Sequence, residues 1–184
     1  VKEGAKTATA GTFHKTIDSP QLVRLKLNGN KFSDQTVIRF HKDASYNFDN
    51  SWDARRLGNS NPDATFMATL SDDAQKLSIN SIPDINEDIS LPLVAKAGVA
   101  GEYTISLLSI EGIDEPVCVS LEDTVTGMIT DLNTDSYTFN YALEGDSLPA
   151  RFKIHISPSF SLVKNDLNCS GENNGYAVAK GFGS

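Results

Sequence analysis

The feature that most constrains this chain is an alternation of apolar and polar residues with a period of two, repeated in short runs along most of its length. Period two sends one residue set into a core and its neighbours into water only when the backbone is an extended strand. Val23, Leu25 and Leu27 alternate with Arg24 and Lys26, and Leu77 and Ile79 with Ser78 and Asn80. The same pattern places Ile89, Leu91 and Leu93 on one face, as it does Tyr103, Ile105 and Leu107, and Val117, Val119 and Leu121. Tyr137, Phe139 and Tyr141 form another such set, Phe152, Ile154 and Ile156 a further one, and Thr36 to Phe40 adds one more strand. Turn-forming clusters separate the runs, among them Asn28-Gly29-Asn30, Gly58 to Pro62, Ser71-Asp72-Asp73, Ile85 to Asp88, Gly98 to Gly101 and Glu144-Gly145-Asp146.

Parallel strands need crossovers of about a dozen residues or more, usually helical, and no helical spacing fills these gaps. The expected fold is therefore an all-β antiparallel sandwich, jelly-roll or immunoglobulin-like, over about Gly11 to Ser157 (11–157). Pro92 cannot donate to a ladder, which places its strand at an edge or a bulge, the edge being favoured. One stretch, Phe48 to Leu57, breaks the alternation; Asp49 there is placed to cap one short helical turn that carries Trp52 and Leu57 inward. Beyond Ser157 the composition shifts to Ser, Asn and Gly, so 158–184 reads as a linker and the truncated start of a following repeat.

Size and charge narrow the function. With 184 residues, 39% apolar and 22% charged, the chain can bury a core without metals or staples. Sixteen Lys and Arg against 24 Asp and Glu give a net charge of -8, which argues against a nucleic-acid partner or an anionic membrane surface. No apolar run reaches the roughly 18 residues of a membrane-spanning helix, so no membrane insertion is expected. Cys118 and Cys169 lie in segments of different character and are expected to be unpaired or paired outside this chain, which begins at Val1 and reads as a piece of a larger exported protein.

No catalytic machinery is legible. His14, His41 and His155 lie on separate segments, and no nucleophile elbow or Cys-His arrangement accompanies them. Glu122 and Asp123 are adjacent on a strand and point to opposite faces, so they cannot be a glycosidase pair. Carboxylates crowd the irregular connection instead: Asp43, Asp49 and Asp53 are candidate ligands for calcium, which takes six to eight oxygens, although their spacing fits no EF-hand. Each has a structural alternative, Asp49 as a cap, Asp53 paired with Arg55 or Arg56, and Asp43 solvated. Tyr46 and Trp52 could stack on sugar faces while Asp49 and Asp53 bond sugar hydroxyls, making Tyr46, Asp49, Trp52 and Asp53 the candidate ligand-binding set. Against this, Trp52 followed by Leu57 most simply plugs the end of the sandwich.

Several pieces, in their order and spacing, resemble a module of large secreted proteins of the Bacteroidetes, where it lies near the C-terminus of type IX secretion cargo. They are Leu25 to Asn30, Asp34 to Phe40, Phe48-Asp49 with Trp52-Asp53-Ala54 and Arg56-Leu57, Leu77 to Asn80, Gly101 to Ile105, Leu121-Glu122-Asp123 and Arg151 to His155, covering roughly residues 21 to 157. Asn168 to Ala179, with Cys169, Gly171 and Asn174-Gly175, looks like the opening of a repeat in gliding-motility adhesins of the same bacteria, with Tyr176 where such repeats carry a small polar residue. The resemblance implies a secreted or cell-surface multidomain parent and a non-catalytic structural or display module, connected with adhesion or type IX secretion, whose partners are neighbouring domains of the same chain. The alternative is a carbohydrate-binding module, calcium-dependent or not, with polysaccharide as its partner.

Overall fold

The computed structural model describes residues 20–143, 150–158, 160–165 and 176–181. Its elements are all strands: β1 (Gln21–Gly29), β2 (Phe32–Phe40), β3 (Ala54–Arg55), β4 (Phe66–Leu70), β5 (Lys76–Ile82), β6 (Ile89–Lys96), β7 (Gly101–Glu111), β8 (Val117–Asp123), β9 (Met128–Asp131), β10 (Tyr137–Tyr141), β11 (Phe152–Pro158), β12 (Phe160–Asn165) and β13 (Tyr176–Gly181). The first eleven form one continuous mixed sheet, ordered β10-β7-β1-β2-β5-β4-β6-β11-β8-β9 with β3 added on β5, and nearly closed into a barrel. The other two, β12 and β13, pair antiparallel as a separate ribbon. The expectations at Gly11 to Ser19, at Glu144-Gly145-Asp146 and at Asn168 to Gly175, with His14 and Cys169, lie outside the described residues.

The core is built from the alternation. Val23, Leu25, Leu27, Ile105, Val119, Leu121, Phe152, Ile154 and Ile156 are each at most 1% exposed, and residues of β10 meet residues of β11 across that core, Phe139 and Phe152 at 4.8 Å between ring centroids. The β1–β2 hairpin closes through two residues in the left-handed region, Asn30 (φ 44°) and Lys31 (φ 67°), the geometry that matches strand twist in a two-residue turn. Gly29 beside it has no room for a side chain, because a Cβ would lie 2.4 Å from the Tyr103 ring.

Four expectations are corrected. Pairing is not wholly antiparallel: β2 and β5 run parallel, Val37 opposite Ile79 through Phe40 opposite Ile82. The connection between them satisfies the length requirement without a helix, since it carries β3 and β4 back to the starting end. No helix exists among the described residues; Asp49 to Asp53 make a single turn, closed by the Asp53 amide on the Asp49 carbonyl at 2.8 Å, before β3 draws the chain into the sheet. Pro92 lies in an interior strand, β6, between β4 and β11, one residue past the last β4 pair, Thr69 with Leu93, so no ladder is lost on that side. On β5 the faces are exchanged. Ile82 enters the core and Asn80 is buried, whereas Leu77, Ile79 and Ser81 share the other face, where Ser81 bonds the 41–57 connection, Leu77 is buried outside the main core cluster and Ile79 is 37% exposed.

Candidate functional site

The connection 41–57 folds over the outer face of β2 and β5, and its first holding point is Asp53. One carboxylate oxygen accepts the Ser81 amide of β5 at 2.7 Å, and the other accepts the Asp49 amide at 2.7 Å. Ser81 returns a bond from its hydroxyl to the Trp52 carbonyl, also at 2.7 Å. Asp49 caps the turn as the sequence suggests, its side chain accepting the Ser51 amide at 2.7 Å, although the turn does not propagate into a helix. Charge-assisted bonds of this kind are the stronger class, so the connection is fixed to the sheet by backbone amides on carboxylates.

Trp52 is half-buried, neither the sealed plug nor a free platform. Its ring stacks on His41 at 3.9 Å between centroids, tilted by 29°, and the Arg39 guanidinium lies 5.4 Å from the Trp52 centroid. Arg39 Nε is buried without a hydrogen-bond partner. Leu57, expected inward beside Trp52, is instead 75% exposed. Tyr46 is half-buried against the core, and burial, with Glu87 and Asp72 nearby, raises its hydroxyl above the ordinary tyrosine range.

The three aspartates proposed for calcium are not brought together as a site. Asp43 is exposed and holds Lys42 Nζ with both oxygens at 2.8 and 2.7 Å, a bond that lowers its pKa. Asp49 and Asp53 are engaged as described, and among the described residues no three His, Cys, Asp or Glu side chains gather in a way that could hold a metal ion. The expected Asp53–Arg55 or Asp53–Arg56 pair is also absent. Arg55 lies 4.1 Å over the Phe48 ring, and Arg56 reaches Asp34 at 2.6 Å in a largely buried pair, where the same Asp34 oxygen also accepts the Met67 amide at 2.7 Å.

A second carboxylate node lies in the core. Glu122 and Asp123 do point to opposite faces: Glu122 meets His155 at 2.9 Å outside, while Asp123 is 0% exposed. Asp123 accepts Arg151 Nε (3.0 Å), Arg151 Nη2 (2.6 Å), the Tyr137 hydroxyl (2.7 Å) and the Val125 amide (3.0 Å). Burial works against its charge, but the bonds from Arg151, Tyr137 and Val125 outweigh it and hold the carboxyl far below the usual range. Arg151 in turn lies over the Phe139 and Phe152 rings at 5.1 and 5.0 Å.

Sequence reasoning missed Arg39 and His41 as neighbours of Trp52. The signal was their i, i+2 spacing with Val37 at the end of a strand, which puts all three on the face the connection covers. It also missed Asp123 as a buried anchor, which no local pattern marks. Cys118 is an exposed thiol. No curated protein and no solved structure matches the chain. The match lies with a family model covering residues 9–156, most of the chain and all of the eleven-stranded sheet but the last two residues of β11, and the chain belongs to that family, described as a domain of unknown function, DUF8693.

Proposed function

We propose that this chain is a non-catalytic structural or display module of a secreted or cell-surface protein, spacing adhesive or enzymatic parts of its parent in a type IX secretion context. The mixed sheet then serves as a β-sandwich, with the half from β10 to β5 laid against the half from β4 to β9. The observation that carries this reading is the use made of Asp53: both of its oxygens are spent on backbone amides. The connection that would offer carboxylates to a ligand uses them to hold itself to the sheet. Its partners are the neighbouring domains of the same chain.

A second reading, a carbohydrate-binding module using Tyr46, Asp49, Trp52 and Asp53, is favoured by one observation, the partial exposure of the Trp52 ring. The fluorescence of Trp52, the single tryptophan, separates the two. Under the display reading its emission is indifferent to neutral glycans and to millimolar calcium. A shift with one glycan that Trp52→Ala removes, at unchanged melting temperature, replaces it with the binding reading; a shift with calcium reversed by a chelator adds the metal.

A further inference from the structure

We propose that a second site, a cleft at the far end of β5 from Trp52, binds an acidic sugar unit, carboxylated or sulfated, of a polysaccharide. The cleft has a volume of about 520 Å³, and its lining includes Asn61, Phe66, Lys76, Lys96, Tyr141 and Leu143. That volume lies within the roughly 300–1,000 Å³ of small-molecule sites.

Its chemistry is one-sided. In a chain of net charge -8 the lining carries Lys76 and, among the described residues, no carboxylate. Asp63 is the nearest acid on the 59–64 loop, and it stands outside the lining with its amide turned to the Asn61 side-chain oxygen at 2.9 Å. Lys76 forms no ion pair among the described residues; its ammonium lies 5.8 Å from the Phe66 ring, which the Arg56 guanidinium also approaches at 4.9 Å. The Asn61 oxygen is used, which leaves its amide nitrogen as a donor, and the Tyr141 hydroxyl makes no hydrogen bond among the described residues while its ring is braced edge-on by Tyr103 at 6.1 Å. Lys76, the Asn61 amide and the Tyr141 hydroxyl thus offer donors, and they stand beside a braced aromatic ring and the exposed side chain of Leu143. A ligand that suits this set carries negative charge, hydroxyl oxygens and an apolar ring face, which together describe an acidic sugar. The wall is rigid. Gly98 lies so close to the 59–64 loop that a Cβ there would stand 1.7 Å from the Pro62 carbonyl, so the loop and the β6–β7 turn are locked together.

This goes beyond both readings above, because it does not involve Trp52. Calorimetric titration of the whole chain with a galacturonic acid trisaccharide, a sulfated disaccharide and neutral maltotriose tests it. At least one acidic saccharide is expected to bind, more weakly as salt rises, while maltotriose does not. Lys76→Glu, on an exposed side chain, is expected to lower that affinity at least tenfold. Asn61→Asp, which keeps the bond to the Asp63 amide but adds a negative charge, is expected to lower it several-fold, and Trp52→Ala to leave it unchanged. Which acidic probe binds identifies the anionic group. The inference is overturned if neither acidic saccharide binds at millimolar concentration, if maltotriose binds equally well, or if binding survives both Lys76→Glu and Asn61→Asp in protein whose melting curve is unaltered.

Discussion

Asp123 and Asp53 are both spent on holding the fold, but the partners differ and so does what each one holds. Asp123 sits inside the barrel-like core, where a guanidinium, a phenol and an amide converge on it and tie β8, β10 and the start of β11 together. Asp53 meets two amides, and what it joins is one loop to one strand. A buried charge paired with an opposite charge is a global commitment, since removing one partner strands the other. A carboxylate on amides at a partly exposed surface is a local one. In a chain as acidic as this, carboxylates are the abundant material for both.

The comparison breaks most sharply with Asp123→Ala, which strands Arg151 and leaves the Tyr137 hydroxyl only the long contact with Thr126 Oγ1 at 3.4 Å. It is expected to cost about 3 kcal/mol or more of global stability, toward the low end of the buried-pair range because Arg151 keeps 28% of its side chain exposed. Denaturant unfolding measures this, and a loss under 1 kcal/mol would remove the node's special standing. Next is Asp53→Ala, expected to cost about 1–3 kcal/mol by leaving the Asp49 and Ser81 amides unmatched. Hydrogen exchange should show it as lost protection at Ser81, with the β8 and β11 amides unchanged; uniform deprotection would make the two regions one cooperative unit.

Acid sharpens the difference. The Asp123 pKa is lowered in the folded state, so its stabilising contribution is complete above the unfolded value of about 3.9 and is lost as pH falls below it. Unfolding free energy should therefore drop steeply between about pH 4 and 2, and Asp123→Asn should flatten that slope. The smallest effect is expected at Lys42, whose pair with Asp43 is exposed and screened by solvent, so Lys42→Ala should leave the denaturation midpoint unchanged.

Legibility in the sequence followed packing. Where a strand has one wet face and one dry face, as at Val23-Leu25-Leu27 or Phe152-Ile154-Ile156, the alternation located it and oriented it. Three strands of the eleven-stranded sheet that went unforeseen lack that asymmetry. In β4, Met67, Ala68 and Thr69 are all buried, so no alternation is written there; in β9, Met128 and Ile129 are exposed on an edge; β3 has two residues. The reversed face of β5 has the same cause, because the 41–57 connection covers what would otherwise be its solvent side. At the candidate site, the capping role of Asp49 is local and was legible. Ser81, which ties Asp53 to the sheet, and Arg151, the cation on Asp123, are each 28 residues from their carboxylate, which no spacing rule reaches.

The position of β1 also dictates an order of events. Its first neighbour, β2, follows after a two-residue turn, but its second, β7, begins at Gly101, about seventy residues later, and β10 must follow before that end of the sheet is finished. During synthesis the β1–β2 hairpin thus waits with an open backbone edge while the middle of the molecule emerges. Loop-closure entropy must be met before β1 and β7 reward it, so chain assembly is governed by distant contacts and is slow for a protein of this length. The unsheltered interval, rather than the finished structure, is where this protein is most exposed to pairing with another copy of itself.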